Sequence, residues 1–193
     1  MNDITNSRSV FANLPNILTL GRLALIPVIV AVYYLPFKYN HLVSALIFSI
    51  ASLTDWLDGY LARRLNQSTP FGAFLDPVAD KVIVAVALTM LVEAHYSLIL
   101  TAPAMVIISR EIVISALREW MAEMGKRASI AVSYIGKIKT FCQMFAIIVL
   151  LAVSPDDPLK IVGLVLLYVA ALLTLWSMVI YLKAAWADLT LSQ

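Results

Sequence analysis

At 193 residues, 62% of them hydrophobic and 13% charged, the chain is too apolar to hide its surface from water as a soluble domain. The same composition excludes intrinsic disorder, and a net charge of +2 without a long basic stripe excludes nucleic acid as a partner. An integral membrane protein remains, all-α by the apolar stretches described next, and its 14 basic and 12 acidic residues are where chemistry must be sought.

Residues 1–16 form a polar N-terminal cytoplasmic segment in which Ile4, Val10 and Phe11 are compatible with a short interfacial helix. Six apolar stretches follow, at 17–37, 42–61, 74–94, 98–117, 138–153 and 159–182. Most approach the length of about 20 residues that crosses a bilayer as a helix. Pro36 and the segment 155–158 are natural breaks between them. Residues 17–186 therefore read as one six-helix transmembrane domain, and 187–193 as a C-terminal tail.

Lys and Arg set the orientation of such a chain. With six crossings, twelve basic residues fall on the side of the termini, and only Lys38 and Lys160 fall on the other. Both termini are therefore expected in the cytoplasm. The single cysteine, Cys142, lies in an apolar stretch and cannot form an internal disulfide. His41 and His95 fall on the outer side and receive no chemical role.

The charges concentrate at two helix ends. The second stretch closes with Asp55, Asp58, Gly59, Ala62 and Arg63, and the third opens with Gly72, Asp76 and Asp80. Ionisable residues in membrane helices are costly and face a cavity or a partner. Spacings of three and four residues put each Asp pair on one helix face. A short connection makes the two helices antiparallel neighbours, so all four carboxylates can converge at the cytoplasmic boundary, in a cavity open to that side. Four clustered carboxylates repel one another unless cations hold them. Hard oxygen donors without His or Cys favour Mg²⁺, Mn²⁺ or Ca²⁺, and two divalent cations balance four carboxylates. Such a pair suits phosphoryl transfer. Cation-coupled transport is the competing reading, but the outer halves of the helices carry no polar path.

The segment Asp55-x-x-Asp58-Gly59-x-x-Ala62-Arg63, eight residues, then Gly72-x-x-x-Asp76-x-x-x-Asp80 resembles the signature of the CDP-alcohol phosphotransferases at every fixed position. The likeness extends to 15–22, to 110–120 and to 136–140. Those segments resemble the bacterial branch that transfers a phosphatidyl group from CDP-diacylglycerol to sn-glycerol 3-phosphate. The resemblance implies six transmembrane helices, two divalent cations (Mg²⁺ or Mn²⁺), a homodimer among membrane lipids, and a place in the bacterial cytoplasmic (inner) membrane. It implies Asp55, Asp58 and Asp76 as metal ligands and Asp80 as both ligand and catalytic base. Gly59, Ala62 and Gly72 would line the CDP site, with Arg63 near the diphosphate.

A phosphorylated acceptor needs positive charge beyond the carboxylate cluster. Arg110, Arg118, Lys137 and Lys139 lie at cytoplasmic helix ends and are the candidates for binding glycerol phosphate. Glu111 is expected to orient an Arg. Asn16, Thr19 and Arg22 at the start of the first stretch are candidates for holding nucleotide or lipid phosphates, with helix capping and topology as the other explanation. The signature does not distinguish among acceptors, so inositol phosphate, serine and phosphatidylglycerol stay open beside glycerol phosphate.

Overall fold

The computed structural model describes residues 14–65, 70–124 and 134–190, without the side chains of 14–15, 55–65, 73, 134–137, 184–185 and 187–190. All regular structure among them is helical: α1 (Leu14–Tyr34), α2 (Asn40–Leu65), α3 (Pro70–His95), α4 (Leu98–Glu123), α5 (Tyr134–Ala152) and α6 (Lys160–Thr190). In lipid no water satisfies a bare N–H or C=O, so a helix, which pairs them internally, is the form these apolar stretches must take.

Among the described residues, three helices are both long and apolar enough to cross a bilayer, over Asn16–Tyr34, Leu98–Glu123 and Lys160–Lys183. Shorter apolar stretches occupy Asn40–Thr54 and Ile138–Ala152. In α3, every stretch of 18 residues contains at least three of Asp76, Asp80, Lys81 and Glu93, so its hydropathy is interrupted. The expected fourth and sixth stretches continue as helix past their apolar parts, to Glu123 and Thr190. Hydropathy marks where the chain leaves lipid; backbone hydrogen bonding does not have to stop there. The first helix ends at Tyr34 rather than at 37, because Leu35 precedes Pro36 and a residue before proline is pushed out of the α region. Asn40 Nδ2 then donates to the Tyr33 carbonyl at 2.8 Å, satisfying an acceptor at the helix end.

The connections are tight. Tyr96 adopts φ 43° between α3 and α4, and the Ser97 hydroxyl accepts from Ile99 N–H at 3.3 Å to cap α4. Before α6, the Asp157 carboxylate accepts from Leu159 N–H at 2.8 Å.

The chain divides into two compact units, one containing α1, α2 and α3 through Met90, the other containing α4, most of α5, and α6. In the first, α1 buries one stripe: Asn16, Thr19, Arg22, Ile26, Ile29 and Tyr33. Its spacing of three and four residues is that of a helix packed along its length. The stripe is polar at its N-terminal end and apolar at its C-terminal end. Ser44, Ala45, Phe48 and Ala51 of α2 and Ala79, Ile83 and Ala87 of α3 are buried in the same unit. In the second unit α4 buries Leu100, Ala104, Ile107, Arg110, Ile114 and Met121. Its partners show the same polarity change: α5 runs from Lys139 and Gln143 to Ala146 and Leu150, and α6 from Leu167 and Ala170 to Thr174 and Ser177. Gly163 lets α6 approach α5, since a Cβ there would lie 2.6 Å from Leu150 Cγ. Meanwhile Leu53, Phe74, Met105, Ile112, Phe141, Leu172 and Trp176 are exposed. Apolar side chains outside and ionic ones inside is the arrangement that lipid selects.

Candidate active site

In the first unit, α3 carries Asp76 and Asp80 one turn apart, and α1 meets both. Thr19 Oγ1 donates to Asp76 Oδ1 at 3.1 Å. Arg22 Nη1 donates to Asp80 Oδ1, and Arg22 Nη2 lies 4.0 Å from Asp76 Oδ1. Burial is unequal across these pairs. The Arg22 side chain is 1% exposed, whereas Asp76 and Asp80 are 39% and 38% exposed. The carboxylates are thus held from a buried side and open on another. Asn16 and Thr19 are buried on the same stripe of α1. Gly72 lies half-buried in the first turn of α3.

The backbone of α2 stays helical through 55–65. The side chains of Asp55, Asp58, Ala62 and Arg63, together with Gly59, lie outside the described ones. Among the described residues no group of three metal-ligating side chains comes together. The two described carboxylates and their hydroxyl neighbour are oxygen donors, the donor type that hard divalent cations take.

The second unit holds a buried ionic chain that joins all three of its helices. Glu111 accepts from Arg110 Nη1 at 3.0 Å and from Lys139 Nζ at 2.6 Å. Arg110 Nη2 donates to Ser177 Oγ at 3.1 Å, and Ser177 Oγ donates on to the Thr174 carbonyl at 2.9 Å. Arg118, exposed, donates from Nη2 to Tyr181 Oη at 2.8 Å. The Tyr181 ring also lies 5.8 Å from the Arg110 guanidinium and 5.1 Å from that of Arg118, within cation–π range of both. Buried polar atoms remain without a hydrogen-bond partner among the described residues: Arg110 Nε, Gln143 Oε1 and Thr174 Oγ1. The Lys137 side chain lies outside the described ones.

Sequence reasoning singled out Arg110, Arg118, Lys139 and Glu111. It missed that Glu111 serves Lys139 as well as Arg110. It also missed Ser177 and Tyr181 altogether. A signal was present: Thr174, Ser177 and Tyr181 recur at three and four residues along an otherwise apolar helix.

The model of the CDP-alcohol phosphatidyltransferase family matches residues 12–176, and the chain belongs to that family. Within it, the chain is 59% identical over 177 residues to the CDP-diacylglycerol–glycerol-3-phosphate 3-phosphatidyltransferase of Salmonella choleraesuis (strain SC-B67), covering 92% of this chain and 97% of that one. Enzymes of the same name from Shigella flexneri serotype 5b (strain 8401) and Yersinia pestis (strain Pestoides F) are 58% and 56% identical, with the same coverage.

Proposed function

We propose that this protein transfers the phosphatidyl group of CDP-diacylglycerol to the 1-hydroxyl of sn-glycerol 3-phosphate, releasing CMP and phosphatidylglycerophosphate. The observation that carries this reading is the near full-length identity, 56–59%, to enzymes named for that reaction. The half-open carboxylates of α3 and the basic chain of the second unit supply chemistry that suits it.

Asp55, Asp58, Asp76 and Asp80 would hold two divalent cations, Mg²⁺ or Mn²⁺. By helical register Asp55 and Asp58 continue the positions of Ser44, Phe48 and Ala51 on α2. When bound, the cations would neutralise the diphosphate and stabilise charge on the departing CMP. Gly59, Ala62 and Gly72 leave room for the cytidine group, Arg63 supplies a fork for phosphate oxygens, and Asn16 and Thr19 border the same end of α1. Asp80 accepts the proton of the glycerol 1-hydroxyl. The freed oxygen attacks the β-phosphorus as the bond to CMP breaks. A base of this kind contributes about 10²–10⁴-fold. Arg110, Arg118, Lys137 and Lys139 receive the phosphate of the acceptor, with Glu111 fixing two of them.

The polar halves of the helices support a reading of six crossings. They are N-terminal in α1, α3 and α5, and C-terminal in α2, α4 and α6. Six crossings put all of them on the side of the termini, which the excess of Lys and Arg assigns to the cytoplasm. The protein then works as a homodimer in the inner membrane, reacting a lipid substrate with a soluble one at the cytoplasmic surface, as a step toward phosphatidylglycerol and cardiolipin.

An assay with purified protein in detergent micelles tests the reaction. CMP should form from CDP-diacylglycerol only when both glycerol 3-phosphate and Mg²⁺ or Mn²⁺ are present. CMP formed with inositol phosphate or serine instead would move the enzyme to a sister reaction.

A further inference from the structure

Arg22 is a fully buried guanidinium in the first unit, on the polar end of the α1 stripe. Its position is unlike that of a residue that binds a phosphate of the substrate. At 1% exposure the Arg22 side chain is closed off, whereas those of Asp76 and Asp80 are 39% and 38% exposed. A ligand that reaches the carboxylates meets them before it meets Arg22. Among the described contacts, Arg22 and Thr19 engage Oδ1 of the two carboxylates. Arg22 reaches Asp80 Oδ1 through Nη1 and approaches Asp76 Oδ1 through Nη2, while Thr19 donates to that same Asp76 oxygen. A fork that spans two carboxylates one helical turn apart fixes their rotamers relative to each other. A lysine at that position offers a single point of charge and cannot do the same.

We propose that Arg22 is a positioning residue: from the buried side it holds Asp76 and Asp80 in the orientation in which they take divalent cations. This rests on the reading that these two Asp are metal ligands. Its physical basis is general. Carboxylates that bind metals are themselves held by hydrogen bonds, and loss of such a partner costs about 10–100-fold in metal affinity or activity. There is an opposing effect, because a cation next to the site also repels metal. The sign of the change in metal affinity separates the two.

The test is Mn²⁺ binding to the full chain in detergent, read from the EPR signal of free Mn²⁺, alongside steady-state kinetics. Arg22→Met keeps length and apolar bulk but removes the fork. It should weaken Mn²⁺ binding and lower kcat by about 10–100-fold each, with KM for glycerol 3-phosphate changed by less than about threefold. Arg22→Lys should recover part of both losses. In an Asp80→Asn background, Arg22→Met should weaken Mn²⁺ binding less than it does alone, because the partner it positions is gone. Should Arg22→Met not fold, Arg22→Lys and Thr19→Val decide: several-fold weaker Mn²⁺ binding in both supports the proposal, and wild-type binding in both overturns it. Unchanged or tighter Mn²⁺ binding in Arg22→Met overturns it. So does a rise confined to KM for CDP-diacylglycerol, which would make Arg22 a substrate ligand. Full additivity with Asp80→Asn overturns it too, as the mark of a merely structural role. Wild-type Mn²⁺ binding in Asp76→Asn and Asp80→Asn would overturn the metal reading itself, and this proposal with it.

Discussion

A few residues of α4 and α6 illustrate how side chains set the chemistry of a greasy chain. Arg110 is 8% exposed, and burying a guanidinium unpaired would be severely unfavourable. Glu111, Ser177 and the Tyr181 ring make it tolerable, yet its Nε has no partner among the described residues. In the proposed reaction the acceptor phosphate lies beside this guanidinium. Replacing Arg110 by Gln should therefore raise KM for glycerol 3-phosphate far more than KM for CDP-diacylglycerol in steady-state assays. Equal increases in both would remove Arg110 from the acceptor site. Tyr181→Phe keeps the ring between the two guanidiniums but loses the hydroxyl that Arg118 donates to. Its effect on KM for glycerol 3-phosphate should be a few-fold, and that of Tyr181→Ala larger, since both contacts go. Arg110, Arg118 and Lys139 were legible in the sequence because charge in an apolar helix is rare. Tyr181 and Ser177 were passed over: their spacing with Thr174 puts them on one face of α6, but spacing alone does not say that this face meets Arg110 and Arg118.

At the scale of helices, packing in lipid depends on close approach rather than on expulsion of water, and small residues permit it. Gly163 is the clearest instance: an added Cβ would meet Leu150 Cγ at 2.6 Å and Cδ2 at 2.8 Å. Leu150 is fully buried, so it has little room to give way. Gly163→Val should destabilise the protein by about 1–3 kcal/mol, seen as a lower thermal midpoint in detergent. Truncating the opposing side chain with Leu150→Ala should restore part of that loss, and an additive double variant would show that the two helices do not meet there. The helices themselves were readable from six apolar stretches, as were the i, i+4 spacing that aligns Asp76 with Asp80 and the breaks at Pro36 and 155–158. Helix ends were less so, since α4 and α6 run on beyond their apolar parts by ordinary backbone hydrogen bonding.

For the whole molecule, orientation is the property that one experiment can settle. In a Cys142→Ser background, single cysteines introduced as Tyr96→Cys and Asp157→Cys should react with a membrane-impermeant maleimide from the periplasmic side. Gln193→Cys should react only after the inner membrane is opened. The reverse pattern would put the reaction on the other side of the bilayer and overturn the assignment from Lys and Arg. Composition alone was enough to point to a membrane protein, because no soluble fold of this size accommodates so much apolar surface, and the apolar stretches of about 20 residues made it helical. Eight residues at fixed spacing between Asp55 and Asp80 were enough to point to its family, because a pattern of that many fixed positions in 26 residues rarely arises by chance. Contacts between helices distant in sequence were decided only by the tertiary structure. Arg22, read from sequence as a candidate for phosphates or for topology, lies 58 positions from Asp80 and donates to its carboxylate. Glu111 and Lys139 lie 28 positions apart, and Arg118 and Tyr181 63 apart. Periodicity along one helix says which residues share a face. It carries no information about which face of another helix they meet, and that pairing determines which buried charges are held by protein and which are left for a ligand.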